Sequence, residues 1–216
     1  MALNVKHPPT RATAHFNGII YGLTGAGKTF LLGTANKCET TNPILIVNID
    51  AGILTLADQE IDIVSPSNFT ELQEIYEYLR EDNTKYRSVG WDTLTEQQRG
   101  MSMGTIMGEI EEDLSFKDLG SVSSPTRQDW LKSSLHMRRL IRAFRDLSYL
   151  DDEDKRLHVF FTAGERMDDL RNIGCPSLPG LLGLECGGYV DVLGRLIVAN
   201  KEVDGETKEV RYLYTK

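Results

Sequence analysis

Eight residues, GLTGAGKT from Gly22 to Thr29, constrain this chain more than any others. They have the GxxxxGK(S/T) spacing of a phosphate-cradling P-loop. Glycines let successive backbone N–H groups curl around phosphate oxygens, the lysine reaches the terminal phosphates, and the last hydroxyl ligates Mg²⁺. The motif requires a strand running into the loop and a helix running out of it, because the start of the helix adds a favourable field for an anion. The flanks supply both. Phe16-Asn17-Gly18-Ile19-Ile20-Tyr21 reads as a buried strand, and Lys28 to Lys37 carries apolar residues at helical positions (Phe30, Leu31, Leu32 and Ala35). The loop therefore predicts a bound nucleoside triphosphate held by Gly22, Thr24, Gly25, Ala26, Gly27, Lys28, Thr29 and Phe30. The competing reading is a glycine-rich turn with a coincidental lysine.

The rest of the chain continues the alternation. After Pro43, Ile44 to Ile49 is a continuous apolar run, as in a parallel strand buried on both faces, and it ends at Asp50-Ala51-Gly52. A short segment, IDIV, precedes a helix with Phe69, Leu72, Ile75, Tyr76 and Leu79 on one face and Ser67 or Asn68 as its cap. Tyr86 to Thr93 reads as the next strand, and its Asp92 stands where a Walker B aspartate would hold Mg²⁺ beside Thr29. Taken locally, with Arg87, Ser88 and Gly90 interrupting the apolar run, it is also an ordinary strand-end acid. Residues 97–129, rich in Gly, Met and Ser, show little periodicity and read as a long loop. Leu157 to Thr162 makes a further strand, followed by a second Gly/Pro-rich loop to Gly188, and Asp204-Gly205 marks a closing β-hairpin. This order predicts a mostly parallel sheet sandwiched by helices, with an antiparallel edge hairpin: a three-layer α/β/α fold. The expected organisation is an N-terminal arm over residues 1–15, mobile or docked on a neighbour, and one domain over residues 16–216.

Composition narrows the partners. The chain has 216 residues, 40% hydrophobic and 26% charged, which is ordinary for a soluble globular protein. It has no apolar run of about 18 residues and no signal-peptide core, so a cytoplasmic protein without a membrane span is expected. Cys38, Cys175 and Cys186 include no CxxC and read as reduced thiols; a disulfide between Cys175 and Cys186, which flank a Pro/Gly loop, is the alternative. A net charge of −8 leaves nucleic acid only a local patch to bind. The candidate is Leu131 to Leu147, where Arg138, Arg139 and Arg142 stand with Lys132 and Arg145 against Asp146 alone. Leu131, Leu135, Leu140, Ile141, Phe144 and Leu147 form a core stripe there, so the arginines also read as a plain solvated face.

With these residues in view, the chain resembles the RecA-like P-loop ATPases, and most of all their short phage-encoded branch, which includes single-strand annealing recombinases. GLTGAGKT is the specific motif. LIVNIDAGILTLAD is similar to the family's acid-bearing strand end, SVGWDT stands at the Walker B position, PTRQDWLKSSLHMRRLIRAF resembles the helix after the first variable loop, and HVFFTAGERM resembles the sensor strand. The resemblance implies ATP and Mg²⁺ as cofactors, Lys28 on the phosphates, Thr29 and Asp92 on the metal, and hydrolysis as a switch. It also implies an acid that activates water: Asp50, one methylene shorter than the family's glutamate, or Glu96 beyond Asp92. If Gly52 occupies the position instead, no acid stands there. Glu165 either reports the terminal phosphate to the loop after it or is an exposed loop acid. Single-stranded DNA is the implied polymer, with a homo-oligomeric ring or filament around it and a single-strand DNA-binding protein as a further partner. Two rival functions remain open: a nucleotide or small-molecule phosphotransferase with an arginine lid, and an ATP-loaded assembly or partner-binding module with slow hydrolysis.

Overall fold

A computed structural model of the protein describes residues 14–50, 52–108, 124–203 and 206–215. The strand entering the P-loop is β1 (Asn17–Gly22), and the loop opens into α1 (Lys28–Thr34), prolonged by a 3₁₀ turn over Ala35–Lys37. There follow β2 (Ile44–Asn48), β3 (Asp62–Val64), α2 (Phe69–Glu77), β4 (Ser88–Asp92), α3 (Leu94–Glu96), α4 (Met103–Met107) and α5 (Arg127–Asp146). The chain continues through β5 (His158–Asp168), β6 (Ile173–Pro176), α6 (Leu182–Glu185), β7 (Val192–Val203) and β8 (Glu206–Thr215). The sheet order is β3-β2-β4-β5-β1-β7-β8, with β6 paired to β5 outside this path.

Strands β3 through β7 of that order pair in parallel, and the two antiparallel pairs are β7–β8 and β5–β6. Side chains alternate across a strand, so the unbroken apolar run of β2 supplies both faces of the sheet. Leu45 and Val47 pack with Leu72, Met137, Ile141 and Phe144 on the side of α2 and α5. Ile44 and Ile46 pack with Leu32 of α1 and with Leu56 on the other side. The fold is thus the expected three layers, with the larger core under α5. Trp91 of β4 is its centre, 1% exposed and edge-on to Phe144 at 4.6 Å between ring centroids.

Caps set two helix starts. Asn68 Oδ1 accepts from the Glu71 N–H at 2.9 Å, which identifies Asn68 rather than Ser67 as the cap of α2. Thr126 and Asp129 form a reciprocal capping box at the start of α5.

Three sequence expectations are corrected. The stretch from residue 97 is no loop at first: Gln97–Ser102 winds as a π-helix between α3 and α4, with Gln97, Gln98, Met101 and Ser102 buried. Burial against α5, not periodicity, holds it there; residues 109–123 of the expected loop lie outside the described residues. The strand expected to end at Thr162 runs on to Asp168, because β6 folds back and supplies hydrogen-bond partners from Glu165↔Pro176 to Asp168↔Ile173. Leu131 and Leu135 are not core residues but 59% and 45% exposed, while Met137 takes their place in the stripe. The closing hairpin forms as expected through Val203↔Glu206, though Asp204-Gly205 and the first 13 residues of the arm lie outside the described residues.

Candidate nucleotide-binding site

The C-terminal ends of β1, β2, β4 and β5 converge on one cleft of about 820 Å³, the edge at which open parallel sheets place ligands. The P-loop forms its floor. Gly27 has φ +94°, a left-handed conformation that L side chains resist, and a Cβ at Gly22 would lie 2.5 Å from the Leu196 carbonyl oxygen. The glycine spacing is thus a backbone requirement at both ends of the loop. Lys28 Nζ donates to the Gly22 and Leu23 carbonyls at 3.0 and 2.9 Å. Burial holds its ammonium below the ordinary lysine range, against the opposing pull of Asp92, Asp50 and Glu165.

Asp92 is 1% exposed and gripped from two sides. Thr29 Oγ1 donates to Asp92 Oδ2 at 2.6 Å, and Thr162 Oγ1 donates to Asp92 Oδ1 at 2.5 Å. These hydrogen bonds fix the carboxylate with one hydroxyl of the P-loop beside it. Mg²⁺ takes hard oxygens and keeps several waters, needing only one or two protein ligands beside substrate phosphates. The Thr29 hydroxyl and Asp92 carboxylate fit that demand.

The remaining predicted acids reach the same cleft. Asp50 lines it, placed by the Ile49 and Asp50 N–H groups, which donate to the Asp92 carbonyl at 2.6 and 3.1 Å. Glu96 also lines it, as the last residue of the short α3, where the N-cap Thr93 Oγ1 accepts from the Glu96 N–H at 3.2 Å. Gly52 lines the same cleft, so Asp50, Glu96 and the acid-free alternative all stand in one site. Of the two readings of Glu165, the exposed loop acid gives way: it is a mid-strand residue whose side chain is 5% exposed, ion-paired with Arg195 of β7. Its partner comes from a strand distant in sequence, which is why the local sequence left its exposure open.

Sequence reasoning missed five residues here. Thr162 ends the apolar run HVFF as a lone hydroxyl, a signal that was available. Thr95 Oγ1 accepts from the Gly164 N–H at 2.9 Å and locks α3 to β5. Arg99, which lines the cleft, donates to Ser177 Oγ at 3.1 Å. Arg195 and Arg211 come from the edge hairpin, and no local pattern points to them.

The arginines of α5 do not line this cleft. Arg138 is ion-paired with Glu185 at 2.7 Å, the Arg142 guanidinium lies 4.6 Å over the Tyr189 ring, and Arg139 borders a groove between α2 and α5. All three cysteines are free thiols, so the disulfide alternative gives way, and burial pushes the Cys186 thiol up to about 12. No helix among the described residues is long and apolar enough to cross a membrane.

The chain is similar to a solved prototypical ATPase from the type III secretion system of pathogenic bacteria, at 14% identity and a TM-score of 0.48. The match covers 85% of this chain and 51% of that one, so this chain spans about half the length of that ATPase. No curated protein matches it significantly. A family described as an AAA domain matches residues 15–216, and the chain belongs to that family.

Proposed function

We propose that this chain binds Mg·ATP over its P-loop, hydrolyses it, and uses the cycle to assemble on single-stranded DNA and promote annealing or strand exchange. The observation that carries the nucleotide half is Asp92, buried and held between the hydroxyls of Thr29 and Thr162 directly behind the loop. When bound, the magnesium ion offsets charge on the phosphates. Lys28 supplies the second cation at the phosphate end, and Asp50 or Glu96, both in the cleft wall, orients the attacking water.

What supports the DNA half is the path of β5. It leaves the cleft at Glu165 and carries the β5–β6 hairpin, with Met167 and Leu170 49% and 96% exposed, so a change at the phosphates has a stiff element to move. The engagement of Arg138 by Glu185 and of Arg142 by Tyr189 favours a second reading, an ATP-dependent assembly module that carries no DNA.

ATP turnover and self-association, each with and without single-stranded DNA, test the proposal. Turnover is expected to need Mg²⁺ and to rise with DNA. Lys28→Ala is expected to lose ten- to a hundredfold in nucleotide affinity, as about 1.5–3 kcal/mol of charge-assisted contact disappears. A Lys28→Ala variant that binds ATP like the parent would remove the nucleotide half. ATP-driven assembly with no DNA binding at any salt would leave the assembly module.

A further inference from the structure

The β7–β8 ribbon, which pairs with the strand entering the P-loop, also sends an arginine to the loop. Arg211 of β8 lines the nucleotide cleft, and its Nε donates to the Ala26 carbonyl at 3.1 Å. Its Nη2 pairs with Glu209 Oε1 of the same strand at 2.7 Å. The glycine at 27 makes room for it, since a Cβ there would lie 3.1 Å from the Arg211 Nε.

Position along the sheet says which end of a nucleotide Arg211 meets. Asp50 follows β2 by two residues and Asp92 ends β4, so the acids that serve magnesium and water lie on the β2–β4 side of the P-loop. Arg211 lies on the opposite side, beyond β1. A triphosphate with its terminal phosphate at the acids therefore runs its nucleoside toward β8. The chemistry of the guanidinium narrows the contact further. Two of its five N–H donors are taken by Ala26 and Glu209, and the Glu209 carboxylate offsets its charge, which weakens it as a phosphate ligand. Its planar face remains, and guanidinium planes pack well on aromatic rings. We infer that Arg211 stacks on the nucleobase and is a binding residue for the nucleoside end of the nucleotide, which rests on the nucleotide reading above.

The test compares ATP, GTP, ADP and tripolyphosphate, the last having phosphates and no base, on the parent, Arg211→Met and Arg211→Lys. Binding is followed by calorimetry, with melting curves to confirm folding. Arg211→Met is expected to weaken ATP, GTP and ADP alike, by about three- to thirtyfold, and to leave tripolyphosphate within about twofold. Equal weakening of tripolyphosphate would make Arg211 a brace of the loop or a phosphate ligand and overturn the inference. Rescue of tripolyphosphate binding by Arg211→Lys would identify the phosphate role specifically. No loss for any nucleotide would overturn it as well. A parent that binds none of the four would instead remove the nucleotide reading itself.

Discussion

Thr162 on β5 donates its hydroxyl to Asp92 on β4 at 2.5 Å, inside a region where neither side chain reaches solvent. The bond fixes one carboxylate oxygen so that the other faces Thr29. Removing it leaves a buried charged group one partner short, and hydrogen bonds to charged groups are worth about 1.5–3 kcal/mol. Thr162→Val keeps the shape and deletes the donor. The Mg²⁺ concentration for half-maximal ATP turnover is expected to rise about tenfold or more on that scale, with Thr162→Ser close to the parent. A magnesium titration of turnover measures this; an unchanged magnesium response in Thr162→Val would mean that Asp92 needs no such support.

Asp50 and Glu96 compete for one role, and the cleft holds both. A group that orients water acts more strongly in the transition state than in the bound ground state, so its loss falls on kcat. Asp50→Asn is expected to keep nucleotide affinity within a few-fold and to lose about 10²–10⁴ in kcat. Single-turnover hydrolysis with matched binding titrations on Asp50→Asn and Glu96→Gln assigns the role. Intact kcat in Asp50→Asn, with kcat abolished in Glu96→Gln, exchanges the two.

The features legible in the sequence were those with a local physical cause. Gly27 is demanded by a left-handed φ and Asn68 by a helix start that needs a cap, so each leaves its mark within a few residues. The run 44–48 declares a strand buried on both faces for the same reason. What escaped depends on partners far along the chain. The continuation of β5 past Thr162 follows from its pairing with β6, and the burial of Glu165 follows from Arg195, 30 positions away. Gln97–Ser102 looks polar and aperiodic, yet α5 covers it. Arg211 bonds to Ala26 across 185 positions, a contact that only the completed sheet creates.

The pair between Glu165 and Arg195 joins stability to the site. The Glu165 side chain is 5% exposed and its partner 37%, so the acid is the group that suffers when the pair is broken. Stranding a buried charge costs about 3–5 kcal/mol, and the open side of this pair sets the expectation near the lower figure. For a domain of this size, about 3 kcal/mol corresponds to roughly 6–12 °C in melting temperature. Arg195→Met is expected to show that loss, and the double variant Glu165→Gln with Arg195→Met to recover most of it, because no charge is then left unpaired. The same logic reaches the nucleotide. Glu165 acts electrostatically on Lys28, so an uncompensated carboxylate there repels a polyphosphate, and ATP affinity falls in Arg195→Met and returns in the double variant. Melting curves and ATP titrations on the two singles and the double measure both effects together. If Arg195→Met is as stable as the double variant, Glu165 is not held by this charge; if it binds ATP like the parent, the link to Lys28 carries no weight in binding.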